Sequence, residues 1–387
     1  MTLIHRTLAA CVAAGLLGLT GCAPSAPPQA STAPAETATS TAAPDAAPYA
    51  MDDYAKVRKF DAHVHANGPD PVFLQLAQAD NFELLSINVD YPDFPTLDLQ
   101  HTAALKLAKD DPQRFHWAAT FSMKGFGTPD WLARTNKRLD DEVAEGAKAV
   151  KVWKNIGMVE KNAKGELIKL DDPGLSPVAE HIQALGIPLI AHQAEPYNCW
   201  LPLDKMTTDN DREYFSKHPD YYMYLHPEMP THEDLMAARD RFVAAHPQLK
   251  FVGAHMASLE YDVDVLAKFL DTYPNATVDL AARMSQVQYQ SLRDPAKVRD
   301  FFVRYQDRLM YGTDLTQAPD ADPAAFKAEA HAYWASDWKY LATAESQRID
   351  MLKADVPGLA LPRAVIDKIY YTNAVREFDL KNQAAAK

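Results

Sequence analysis

The sequence predicts a closed (β/α)8 barrel. Three observations lead there. Short apolar runs recur eight times from about residue 52 onward, longer amphipathic stretches separate them, and no Gly-x-Gly-x-x-Gly turn follows the first run. Buried parallel strands read as continuous apolar runs. Their alternation with helical stretches marks a parallel sheet, and eight such units close a barrel. The competing arrangement is an open doubly wound sheet, and the missing glycine motif counts against it.

The elements follow in order. The first four strands are KVRKFDAHVH (56–65), ELLSINVD (83–90), FHWAATFS (115–122) and AKAVKVW (147–153). The next four are IPLIAHQ (187–193), KFVGAHM (250–256), ATVDLA (276–281) and LMYGTD (309–314). A short piece, PVFLQLAQAD, follows the first strand. Helices are predicted over 97–110, 129–146, 173–186, 231–247, 259–274 and 294–306.

Ahead of the barrel the composition changes. Residues 1–21 have a basic start, an apolar run and small residues, the pattern of a secretory signal. The run is too short to predict a membrane span. Leu19-Thr20-Gly21-Cys22 resembles a bacterial lipobox, which implies a lipid on Cys22. Residues 22–50 are rich in Ala, Pro, Ser and Thr and read as a disordered tether. The barrel domain then spans 51–387. The set implies a chain anchored in the cell envelope, at the outer membrane and facing the periplasm, touching the membrane through its lipid alone. Of the 3 cysteines, the signal removes Cys11 and the lipid takes Cys22, so Cys199 is expected as a small buried side chain. The net charge of −13 comes with no basic stripe, which excludes nucleic acid as the expected partner.

Polar residues then gather at strand ends, where barrel chemistry is placed. The first strand ends in His63 and His65, which alternation aims at one face. His192, His255 and Asp314 end the fifth, sixth and eighth strands, and Lys151 lies on the fourth. Burying one such group unpaired is costly, so the whole set points to a shared site.

DAHVH, the histidines of strands five and six, and GTD on strand eight resemble the amidohydrolase superfamily. LPRAVIDKIYYTNAVREF (361–378) is similar to the closing helix of its amidohydrolase-related branch, which holds lactonases, other hydrolases and non-oxidative decarboxylases. The resemblance implies that His63, His65, His192 and Asp314 surround a divalent metal, with His255 a further ligand or an acid/base. Imidazole with carboxylate suits zinc. Lys151 leaves two arrangements open. One is a single ion; the other is two ions bridged by a carboxylated Lys151, as in the binuclear members.

Loops are expected to choose the substrate, a small molecule. The longest, 193–230, is read as a lid or pocket wall. Glu195, Trp200, Tyr224 and His226 on it, Trp153 on the fourth strand and Arg283 after the seventh are the candidate substrate contacts. A packed loop cluster is the alternative for the aromatics, and a surface arginine for Arg283. Asp61 is expected behind the ligands. The expected activity is metal-dependent hydrolysis of a lactone, ester or amide in an aromatic or carboxylated substrate, with Asp314 and His255 catalytic. Decarboxylation, and ligand binding without turnover, are the alternatives. No Gly-x-Ser-x-Gly elbow is present, against a serine hydrolase.

Overall fold

The computed structural model describes residues 47–380. The calls on residues 1–46, Cys22 among them, lie outside the described residues. The strands are β1 Lys59–Ala66, β2 Phe82–Ile87, β3 Phe115–Thr120, β4 Val150–Val152, β5 Leu189–Ala191, β6 Phe251–Gly253, β7 Ala276–Asp279, β8 Leu309–Met310 and β9 Leu315–Gln317. They form one parallel sheet in the order β8-β7-β6-β5-β4-β3-β2-β1-β9. Its two ends are joined by four residues of chain. Across that link Ala62 N–H donates to Tyr311 O at 2.9 Å and Asp314 N–H to His63 O at 2.7 Å. Leu280 and Ala282 donate from the other side to Met310 O and Thr313 O. The sheet thus closes into a TIM-barrel-like ring.

The eighth strand is where the structure departs from the continuous run 309–314. Its ladder stops at Met310 and resumes at Leu315 against β1. Asp314, at φ 69°, turns the chain between them. Gly312 allows the crossing, since a Cβ there would lie 3.1 Å from His63 Cβ.

One core cluster fills the barrel interior and includes Phe60, Ala62, Ile87, Ala149, Ile190 and Val252. A larger one joins outward strand faces to the helices. Alternation from Ala149 and Ile190 brings Lys151 and His192 inward. Two irregularities break alternation elsewhere. In β1 the register slips between Asp61 and Val64, so three steps oppose two on β2. This bulge lets His63 and His65 follow Ala62 to the interior. Asp61 points outward and locks it, accepting from His63 N, Thr313 N, Thr313 Oγ1 and Trp334 Nε1. The second irregularity is at the end of β6, which stops at Gly253 rather than at residue 256.

Around the ring, the expected helices form at Leu97–Asp110, Pro129–Ala144, Ser176–Leu185, His232–Ala245, Val263–Thr272 and Pro295–Arg304. The piece after β1 is also a helix, Val72–Ala79. Sequence reading missed the helix Pro323–Ala342, capped by Asp322, and the hairpin Gln347–Ile349/Ala354–Val356. The tether boundary also moves. Residues 47–50 pack on the barrel, because Tyr49 bonds Asp367 and meets the Trp338 ring, and Trp338 Nε1 donates to Ala50 O. Among the described residues, no helix is long and apolar enough to cross a membrane.

Candidate metal centre

The strand ends bring His63, His255 and Asp314 together, with one donor atom of each within 4.8 Å of the others. His65 Nε2 stands 3.1 Å from Asp314 Oδ1 and His63 Nε2 stands 3.4 Å from it. The His192 ring packs on the His255 ring at 4.1 Å between centroids. His192 therefore borders the group through His255, and its Nε2 faces Ala194 O at 3.1 Å. The tight group holds His255 where the sequence set held His192.

Second partners fix the imidazoles. His63 Nδ1 meets Asp279 Oδ2 at 2.8 Å, His65 Nδ1 meets Ile87 O at 2.7 Å, and His255 Nδ1 meets Ala281 O at 2.9 Å. Each acceptor calls for a proton on Nδ1, which leaves a lone pair on Nε2. The Nε2 lone pairs of His63 and His65 face a carboxylate oxygen. Lone pairs gathered on an anion repel unless a cation lies among them, so the donor set fits a divalent ion. Lys151 is the nearest cation of the chain itself, with Nζ 3.3 Å from His63 Nε2.

Burial tunes these groups. It pushes His192 and His255 well below the usual imidazole range, which favours the neutral, metal-binding form. It lowers Lys151 to about 8. Burial opposes the charge of Asp279, but His63 above all holds that carboxyl at about 2.

A cavity of about 250 Å³ opens over the group. Its lining includes Tyr91, Phe94, Trp153 and Lys154. Phe94 meets His65 edge-on at 5.1 Å, Tyr91 meets Phe94 at 5.2 Å, and Trp153 meets Tyr91 at 4.8 Å. Lys154 Nζ lies 5.3 Å over the Trp153 ring and pairs with Glu195. Sequence reading found Trp153 and Glu195 and missed Tyr91 and Phe94. YPDF after the second strand, two aromatics in a short strand-end loop, was the available signal.

Four expected substrate contacts lie elsewhere. Trp200 packs on His232 and donates to Pro230 O. Tyr224 stacks on Tyr222 at the surface, and His226 bonds Pro219 O and Glu228. The long loop spends these aromatics on its own packing, and Asn198, Asp211 and Gln286 tie it down. Arg283 is buried 3.7 Å from Glu260 rather than lining the cavity. Cys199 is buried, its thiol bonded to Tyr221 O and pushed up by burial.

The family described as Amidohydrolase matches residues 60–380. Among curated proteins, none matches the chain. A 2,6-dihydroxybenzoate decarboxylase from Rhizobium superposes with a TM-score of 0.50 at 16% identity, covering 84% of this chain and 99% of that one. 5-Carboxyvanillate decarboxylase from Sphingomonas paucimobilis gives 0.43 at 13% identity, covering 83% and 99%. An amidohydrolase 2 from Bifidobacterium longum subsp. infantis gives 0.39 at 12% identity, covering 84% and 99%.

Proposed function

The chain belongs to the amidohydrolase family, and from that premise we propose that it is a metal-dependent hydrolase of small lactones, esters or amides. His63, His65, His255 and Asp314 would hold a divalent ion, zinc by donor chemistry, with His192 bordering it. The observation that carries this reading is the convergence of imidazole lone pairs on Asp314, each ring held from behind.

A bound divalent ion supplies Lewis acidity and makes water acidic enough to react near neutral pH. The chain's own residues do the rest. Asp314 is the one carboxylate in the cavity lining, its side chain 32% exposed, and it accepts the proton of the attacking water. Neutral His255 faces the same space as a ligand, and the proton taken by Asp314 passes on to the leaving group. Tyr91, Phe94 and Trp153 hold a flat single-ring substrate and exclude water, and Lys154 takes its carbonyl or carboxylate oxygen. Lys151 would either remain a cation beside His63 or, carboxylated, help to hold a second ion.

Elemental analysis of purified protein tests the centre. One ion per protomer, kept in Lys151→Ala, is the expected result. Two ions, falling to one in that variant, would establish the carboxylated lysine. No ion under any divalent supply refutes the reading. Asp314→Asn is expected to lower kcat at least 100-fold.

The second reading is metal-dependent decarboxylation. The aromatic wall beside two lysines favours it, because that chemistry suits an aromatic carboxylate. Labelled oxygen from solvent enters the product of hydrolysis, whereas carbon dioxide release marks decarboxylation. From the N-terminal sequence alone we also propose a lipid on Cys22 and an outer-membrane location facing the periplasm. Fatty-acid labelling that persists in Cys22→Ser would overturn it.

A further inference from the structure

Val252 of strand β6 and Ala254, just past its end, lie on the interior face. Continued as a strand, β6 would turn His255 outward, toward the helices. Instead the chain makes a turn that is left-handed throughout. His255, Met256, Ala257 and Ser258 have φ of 57°, 57°, 54° and 56°. None is glycine, and each residue is disfavoured in this conformation. Four in a row persist only where the surroundings impose them, and such segments gather at functional sites.

The surroundings are specific. Asp279 Oδ1 accepts His255 N–H at 2.7 Å at the head of the turn. Arg239, fully buried on the helix His232–Ala245, donates to Ala257 O. His232 of the same helix bonds Ser258 O at 2.8 Å. Ser258 Oγ donates to Ala194 O at 3.1 Å, tying the turn to the end of β5. From beneath, Gly253 lets the turn fold onto its own strand, since a Cβ there would lie 2.6 Å from Ala257 Cβ and 3.0 Å from Ala257 Cα. Gly253 has φ −75°, which any residue adopts, so glycine is required here for space alone.

We propose that this left-handed turn is the device that swings His255 into the metal centre, with Gly253, Arg239 and Ser258 as positioning residues acting through the backbone. The inference rests on the metal-centre reading above and extends it to residues that touch neither metal nor substrate. Arg239 lies in the outer helical layer, yet its guanidinium fixes the carbonyl two residues past the ligand.

Cobalt(II) binding tests this without any substrate, because the visible spectrum of the bound ion reports the geometry of its ligands. Wild type, Gly253→Ala, Ala257→Gly and the double variant are titrated with Co(II), and thermal unfolding of the metal-free proteins is followed in parallel. Gly253→Ala is expected to weaken Co(II) about 10- to 100-fold and shift its spectrum, the range set by loss of ligand support. Ala257→Gly, which removes the facing methyl and accepts positive φ freely, is expected to bind like wild type and to restore most of the loss in the double variant. Wild-type affinity and spectrum in Gly253→Ala would overturn the proposal, as would a loss that Ala257→Gly does not relieve. If Gly253→Ala does not fold, the pair Arg239→Met and Arg239→Lys carries the test. Only the lysine is expected to keep the spectrum, by still donating to Ala257 O, and equal behaviour of the two overturns the proposal. A wild type that takes up no Co(II) refutes the metal centre itself, a different outcome from a wild type that binds and a turn that does not matter.

Discussion

Asp279→Asn separates the ligand shell from the residues that orient it. The carboxylate serves two sides at once. Oδ2 accepts from His63 Nδ1 at 2.8 Å, while Oδ1 accepts from His255 N–H at 2.7 Å and Ala281 N–H at 3.2 Å. An asparagine has one acceptor oxygen. Two backbone donors outbid one ring donor for it, so the amide NH2 is left facing His63 Nδ1. His63 must then move its proton to Nε2, the nitrogen aimed at Asp314, and is lost as a ligand. One buried charge-assisted hydrogen bond amounts to about 1.5–3 kcal/mol, or about a 10- to 100-fold loss of metal affinity. Competition for Zn(II) against a chromophoric chelator measures it, with unfolding of the metal-free protein as the control. An Asp279→Asn protein that binds Zn(II) within about twofold of wild type would refute the tautomer argument, and with it the assignment of His63.

Three further outcomes follow from the same structure. Trp153→Ala, which opens one wall of the 250 Å³ cavity, is expected to raise KM about tenfold and change kcat little; steady-state kinetics that show the reverse would move Trp153 into the chemistry. Asp337 is buried and accepts from Tyr311 OH, and burial pushes it up to about 8. Raised above its unfolded value of about 4, it contributes stability that is full below pH 4 and fades as pH rises to 8. Asp337→Asn is therefore expected to flatten the fall of unfolding free energy between those limits, and an unchanged slope in urea melts would count against it. Deleting residues 1–50 rather than 1–46 removes the Tyr49 and Ala50 bonds and should cost about 2 kcal/mol more, read from urea melts of the two proteins.

The barrel was legible because parallel strands buried on both faces must be apolar runs, and those runs are long enough to count. Lys151 and His192 were legible by the same token, since each continues the alternation of its strand into the interior. The donor residues of strands one and six could be named, and alternation set His63 and His65 on one face, but neither the parity of that face nor the inward turn of His255 could be read. In β1 a bulge changes the parity, and its signature is a hydrogen-bond pattern centred on Asp61 that joins residues more than 250 positions apart. In β6 four non-glycine residues take a conformation that their own preferences oppose, so no local propensity could announce it. The aromatics of the long loop misled for the opposite reason. A loop of that length must find its own core, and Trp200 and Tyr222 help supply it, with Tyr224 stacked outside on Tyr222, while the pocket wall comes from the short segment Tyr91–Phe94. Regular periodicity therefore locates the scaffold, and the donor group is assembled where periodicity fails: at a bulge, at a left-handed turn and at a broken eighth strand. The bulge turns two donors and each of the other breaks turns one toward the same point, which is a stronger sign of a built site than the presence of histidines at strand ends.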